Sequence, residues 1–427
     1  MTQQLLQQLV EMRGIETQYV DAWGKPATIA ESSKAKLLNT LGYDTESDEK
    51  IQSQIAYDIQ SVWLSPLNPV HVIRSNEPLH CAVRLPIELV NDEHVMTITC
   101  ENGDTHEHRF VPIDAPMSTM AHIDEVEFHE YIIALPFTLP LGYHSLTLSA
   151  DGDGFATSRL IIAPHACYTP QSVKEGKKIW GLSVQLYCVR SEKNWGIGDF
   201  SDLSLLIENA ANVGADFIGL NPIHALYPAN PNACSPYGPS SRRWLNYLYI
   251  DATAVEGFED EGVQAIVNDP AFQTTLAHAR QVEHVDYDAV AHLKITALKA
   301  IFDVFDARYL RKNTKQNKAF KAFVSEGGES LDMLAVYDAL QSHLKEDGKE
   351  SWGWPVFPEQ YKDYHNPAVA KFKKAHGKEV KFYLFLQWIA AQQLEASSQK
   401  AKDCGMTIGL YRDLAVGVSE GSAEIWG

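Results

Sequence analysis

No apolar run in this sequence approaches the roughly 20 residues that a bilayer-spanning helix needs. The N-terminus, MTQQLLQQLVEMRG, has neither a basic start nor a continuous apolar stretch, so it does not read as a secretory signal. The six cysteines, Cys81, Cys100, Cys167, Cys188, Cys234 and Cys404, are scattered with no C-x-x-C pair. That argues against zinc and against a disulfide framework, and it points to the cytoplasm. Basic charge is in deficit, with 36 Lys and Arg against 55 Asp and Glu and a formal charge of -19. Nucleic acid and anionic membrane surfaces are therefore disfavoured as partners. There is no H-E-x-x-H pair, EF-hand loop or Cys/His cluster, and no G-x-S-x-G elbow, so no metal or other cofactor is expected.

What is present is ordinary globular material, 45% hydrophobic and 21% charged over 427 residues, enough for two or three domains. Residues 1–60 read as helical. Leu5, Leu6, Leu9 and Val10 recur at helical spacing, and a second helix is expected to open at a Thr28/Glu31 capping box and stop at Gly42. From 61 to 165 short β-rich runs appear (HVIRS, CAVRLPIEL, VMTITC, EYIIALPF, HSLTLSA, SRLIIAP), broken by ENGD and DGDG. Their spacing predicts an antiparallel β-sandwich of immunoglobulin-like type. Its aromatics Trp63, Tyr131 and Tyr143 could form a carbohydrate platform, although such residues more often fill a sandwich core.

After a linker, residues 170–427 change texture again. An apolar run, Ile179 to Leu186, leads through SEKNWGIGD into a helical pattern with Leu203, Leu206, Ala210 and Val213 on one face, closed by Gly214. A second run, Phe217 to Leu220, enters a loop dense in Pro, Asn, Ser and aromatics. Strand, crossover helix and strand form the unit of a parallel sheet, in which loops leaving strand C-termini build the site. Helical patterns without strands then fill about 255–380, as an inserted subdomain, and continue over Phe382–Cys404. A third strand is expected at Thr407–Tyr411. The fold class predicted is α/β, the N-terminal part of a TIM (β/α)8 barrel with helical insertions. Such a barrel takes eight strands and roughly 250 residues, and three strands leave unpaired apolar edges. The 427 residues are accordingly expected to be the front of a longer protein.

Gly196 to Asp199 resembles a phosphate loop only superficially, because the third glycine of a dinucleotide fingerprint and the Lys-Ser/Thr of a P-loop are missing. Asp199 as helix N-cap explains it better. Ser235-Pro236-Tyr237 is more informative, setting a hydroxyl and an aromatic face on a rigid turn flanked by Asn232, Arg242, Trp244 and Asn246. Sugars present apolar C–H faces and rims of hydroxyls that such side chains suit, although an ordinary ordered loop remains an open reading. His224 stands without a partner and reads as structural. Asp413 follows the third strand, where a carboxylate can bind hydroxyls, act in catalysis or pair with Arg412, and Glu420 and Glu424 lie downstream. No second carboxylate can be placed beside Asp413 to form a glycosidase pair.

The stretches WGLSVQLYCVRSEKNWGIGDFSDL, FIGLNPIHALYPANPNACSPYGPSSRRWLN, WGWPVFPEQY and GLYRDLAVGVSEGSAEIW closely resemble the amylomaltases, cytoplasmic 4-α-glucanotransferases of glycoside hydrolase family 77, in their long proteobacterial form. The resemblance implies transfer of α-1,4-glucan segments between maltooligosaccharides by retaining double displacement, without a cofactor. It assigns glucan contact to Ser235, Tyr237 and Asp413. A further glucan-contacting tyrosine of shorter members would fall near Ala291, where this sequence departs. The family's nucleophile, acid/base and third essential carboxylate follow the GSAEIW motif, so no catalytic residue is expected within these residues and the chain alone is expected to be inactive. Two other readings are a non-catalytic α-glucan-binding protein and a folding or interaction fragment without glucan affinity.

Overall fold

In the computed structural model, which describes residues 2–427, the apolar spacing of the N-terminus closes into helix α1, Thr2–Met12. The segment that follows is not helical throughout. Gln18–Val20 (β1) and Pro26–Thr28 (β2) pair antiparallel, so Thr28 ends a strand and caps nothing. Helix α2, Glu31–Thr40, begins after Ala30 without a side-chain cap. Helix α3, Asp48–Trp63, is capped by Ser47, whose hydroxyl accepts from the Lys50 amide. Leu6, Leu9, Val10, Leu38, Ile51 and Ile55 form the small core of these helices.

Two sheets follow within the same compact unit, Met1–Tyr168. The six β-rich runs become β3 (Val70–Arg74), β4 (His80–Pro86), β5 (His94–Thr99), β8 (Val126–Ala134), β9 (Gly142–Ala150) and β10 (Asp153–Ala163). Strands β6 (Thr105–Phe110) and β7 (Met117–Ile123) were not legible in the sequence. Both lie at sheet edges, in the orders β3-β10-β9-β5-β6 and β4-β8-β7, where polar residues keep the edge from pairing further. Val83, Leu85, Met96, Ile98, Ile133, Leu146, Leu148, Leu160 and Ile162 fill the space between the sheets. Tyr131 belongs to this core, whereas Tyr143 is exposed and Trp63 ends α3. The three aromatics therefore form no shared platform.

The second unit, Thr169–Gly427, opens with a short helix α4, Gln171–Lys174, and is built on a parallel sheet. Strand β11 (Gly181–Val184) pairs with β12 (Phe217–Leu220), and β12 with β15 (Gly409–Arg412), each in parallel. Helix α5, Phe200–Asn212, makes the first crossover. Of the expected face, Leu203 and Ala210 are buried and Leu206 packs against the core beside Phe200 and Ile207, whereas Val213 is 70% exposed because the helix ends before it. Gly214, with φ +86, ends it as expected.

Between β12 and β15 the chain makes a hairpin, β13 (His224–Ala225) with β14 (Ser241–Leu245), and then the helices. The helical pattern over 262–281 forms two helices, α6 (Glu261–Val267) and α7 (Pro270–Gln281). Pro270 can begin a helix but not continue one, and Asp269 caps it. Helix α8 spans Tyr287–Phe305. Helix α9, Lys315–Glu346, is kinked at Gly328, where φ is +56. Helices α10 (Pro367–Ala375) and α11 (Gly377–Asp403) lead to β15, and α12 (Ala423–Trp426) follows it. Ser397 of α11 is fully buried and bonds the Phe200 carbonyl and the Ser204 hydroxyl. It thereby locks α11 to α5 beneath the sheet.

Candidate active-site cleft

The register of the parallel sheet decides where the site lies. Val184 stands opposite Leu220, and Leu220 opposite Arg412, so the three strands finish in one row. Residues just past that row converge on a cleft of about 850 Å³ lined by Gln185 and Cys188 after β11, Asn221 after β12, and Arg412 and Asp413 at the end of β15. The Asp413 amide donates to the Leu220 carbonyl at 3.0 Å, which extends the β12–β15 ladder by one rung and fixes where the carboxylate starts.

Tyr237 reaches the same cleft from the β13–β14 connection, 60% exposed. Its hydroxyl donates to Asp413 Oδ2 at 3.2 Å. Partial desolvation and that carboxylate raise the phenol above its ordinary range, so Tyr237 stays a protonated donor while its ring face remains open. Ser235 is exposed, and its carbonyl accepts from the Gly238 amide in a tight turn. The structure thus joins Tyr237 and Asp413 in the cleft and leaves Ser235 outside its lining.

The rest of this loop is stitched down. Arg242 donates through Nε and Nη2 to Glu424 Oε1 (3.0 and 2.6 Å) and through Nη1 to the Val416 carbonyl, and its amide donates to Glu424 Oε2. Burial pushes the Glu424 carboxyl up, but the hydrogen bonds from Arg242 outweigh it and hold the group below its usual value. Ser240 accepts from the Ala423 amide, and the Ser419 hydroxyl donates to the Gly238 carbonyl. His224, 9% exposed, accepts the Ala415 amide at Nε2. Burial and then the Arg412 charge lower its pKa, which keeps the imidazole neutral and able to accept. His224 and Glu424 are therefore committed to holding the chain after β15, and neither is free for chemistry.

The flanking residues have similar structural duties. Asn232 bonds Asp288, Trp244 bonds Ser330 of α9, and the buried Asn246 caps a turn at Leu248. No ion pair joins Arg412 to Asp413 among the described residues. Ala291 is buried on α8 and offers no aromatic face. Gln185, Cys188 and Asn221 were not singled out from the sequence. Their only signal was position, immediately after an apolar strand run. Among the residues lining the cleft Asp413 is the single carboxylate. The arrangement provides an exposed aromatic plane beside a carboxylate that accepts the Tyr237 hydroxyl.

Residues 184–427 match the family model of 4-alpha-glucanotransferases in glycoside hydrolase family 77. The chain belongs to that family. Residues 66–164 match the model of the MalQ N-terminal beta sandwich domain. Among curated relatives, the 4-alpha-glucanotransferase of Haemophilus influenzae is 39% identical over 305 residues, 69% of this chain and 42% of that one. The 4-alpha-glucanotransferase of Mycobacterium tuberculosis is 31% identical over 429 residues, 99% of this chain and 56% of that one. The crystal structure of amylomaltase from Corynebacterium glutamicum superimposes with a TM-score of 0.79 at 26% identity, over 99% of this chain and 56% of that one. The chain spans about half the length of the curated relatives it matches. The fold is amylomaltase-like, a β-sandwich followed by mixed α/β structure.

Proposed function

We propose that this chain contributes the glucan-binding wall of a 4-α-glucanotransferase that moves α-1,4-glucan segments between maltooligosaccharides. The observation that carries the reading is the Tyr237–Asp413 pair, set by strand register at the C-terminal row of a parallel sheet. That is where α/β barrels hold their substrates, and family membership supports the reading. In it, residues 170–427 form the first part of a (β/α)8 barrel, residues 1–60 and 61–165 are accessory, and Tyr237 stacks on a glucose ring. Asp413 binds the ring's hydroxyls, with Ser235 meeting the sugar at the rim. The setting is cytoplasmic, in keeping with six free thiols.

Retaining transfer needs two carboxyls about 5 Å apart, and the cleft lining supplies one. The nucleophile and acid/base then come from the part of the family fold that lies outside these 427 residues, as the greater length of the relatives suggests. The same observation favours a second reading, in which this chain by itself binds α-glucan without transferring it. Maltotriose separates the two. The complete protein is expected to yield glucose and longer maltooligosaccharides, and the 427-residue chain neither. Turnover by the chain alone would overturn the placement of the catalytic pair, and an inert complete protein would overturn the transferase reading.

A further inference from the structure

Helix α9 carries a buried carboxyl group that no step of glucan transfer uses. It is Asp338, 3% exposed, with Oδ1 lacking any hydrogen-bond partner. Among the described residues no ion pair reaches it. The charged and titratable groups facing it are the phenols of Tyr227 in the β13–β14 connection, Tyr247 after β14, Tyr337 on α9 and Tyr383 on α11. The hydroxyls of Tyr227 and Tyr247 and Oε1 of Gln341 are likewise buried without partners. Tyr227 lies near Ser419 without meeting hydrogen-bond geometry. Tyr337 donates to the Gly421 carbonyl and Tyr383 meets Ser342 at 2.7 Å. Lys345, two turns further along α9, is spent on the Ala229 carbonyl at 2.6 Å.

A carboxylate in such a place would be desolvated with no cation to offset it, whereas the protonated acid carries no charge to desolvate. We propose that the folded chain carries Asp338 as the neutral carboxylic acid, and that in this form it is a positioning residue. Its proton lets α9 pack beneath the loop that presents Ser235 and Tyr237 and beneath the chain that follows Asp413. The packing partners make the link concrete. Tyr227 belongs to the same connection as Tyr237, and Tyr337 holds Gly421 in the segment that Arg242 and Ser240 also hold.

Burial alone pushes the Asp338 carboxyl well above the ordinary carboxylate range. A carboxyl raised in the folded state contributes stability that is complete below the unfolded value of about 3.9. That contribution is lost as pH rises through the folded value. Asp338→Asn mimics the neutral acid and Asp338→Leu matches its bulk without a polar group. In the protein labelled with carboxyl-13C aspartate, infrared spectroscopy near neutral pH is expected to show the carbonyl band of a protonated acid, absent from D338N. The unfolding temperature of the wild type is expected to fall more steeply than that of D338N between about pH 5 and about pH 8. In the complete protein D338N should keep the wild-type KM for maltotriose, whereas D338L should raise it several-fold. The kinetic arm rests on the glucan reading, but the infrared and stability arms do not, so the two failures are distinguishable. No protonated-acid band in the wild type, or parallel pH profiles of wild type and D338N, would overturn the proposal.

Discussion

Two loops leave adjacent strands of one sheet on the same side, and they put polar residues to opposite uses. Ser191–Asp199, after β11, is absorbed into the core: Asn194, Trp195, Ile197 and Asp199 are all buried. Gly196 sits at φ +86, and a Cβ there would fall 2.6 Å from the Ala279 carbonyl oxygen. Asp199 and Asp202 make a reciprocal capping box for α5. Lys294, fully buried on α8, donates to the Ile250 carbonyl, lies 3.8 Å from Asp199 and stands 5.5 Å from the Trp195 ring centre. Asn221–Asn246, after β12, is anchored at its base by Arg242 and Ser240 and leaves Tyr237 in the open cleft. The first loop spends its hydrogen-bonding capacity on itself and the second keeps one aromatic free. A Gly-punctuated loop at a strand C-terminus is therefore no more a ligand site than a Pro-rich one until its polar groups are accounted for.

The sharpest break of this contrast is Lys294→Ala. It leaves Asp199 buried beside Asp202 and Asp251 without their ammonium, and removing one partner of a buried pair costs about 3–5 kcal/mol. The expected result in denaturant unfolding is a loss of that size. Donor affinity measured on the fraction that remains folded should be unchanged. A loss below about 1 kcal/mol would mean that the loop is not held from within.

Arg242→Ala acts on the other loop. The pair with Glu424 is partly solvent-exposed, so its removal should cost about 1–2 kcal/mol of stability. Because Arg242 also holds Val416, Asp413 and Tyr237 should lose their alignment, and in the complete protein KM for maltotriose should rise more than stability falls. Lysine cannot reproduce the fork that meets Glu424 and Val416 together, so Arg242→Lys should restore only part of the loss. Full rescue by lysine would reduce Arg242 to a simple charge.

How much of this the residues announced follows from how local each interaction is. Asp199 as a cap and Gly214 as a stop were legible because both act within one helical turn. Thr28 misled because its spacing to Glu31 imitates a cap, while a hairpin pairing with Gln18 claims it first. Strand β6, T-H-E-H-R-F, has no aliphatic residue to mark it, being an edge strand. Strands β13 and β14 hid in a loop that reads as pure turn chemistry. The resemblance in the motifs pointed to Tyr237 and Asp413. That they touch depends on β12 and β15 pairing across 192 residues, Leu220 opposite Arg412, and no local pattern states it. Arg242 and Glu424 meet by the same long-range route, and the isolation of Asp338 is a property of packing alone.

The finest test separates the two things Tyr237 offers. Its ring is exposed and packs against no core, so Tyr237→Ala should leave stability within about 0.5 kcal/mol. In the complete protein, glucan binding should weaken by about 1–2 kcal/mol through lost stacking, a several-fold to tenfold or greater rise in KM. Tyr237→Phe keeps the ring and removes only the hydroxyl that faces Asp413, an exposed hydrogen bond worth about 0.5–1 kcal/mol. If the ring is the main contact, phenylalanine should recover most of what alanine loses, with KM within a few-fold of wild type. If instead the hydroxyl's hold on Asp413 orients the carboxylate toward the sugar, phenylalanine and alanine should be nearly alike. Tyr237 would then serve Asp413 first and the glucan second. Measured across donors of increasing length, stacking predicts a loss confined to donors long enough to reach the ring. Orientation of Asp413 predicts the same loss for all of them.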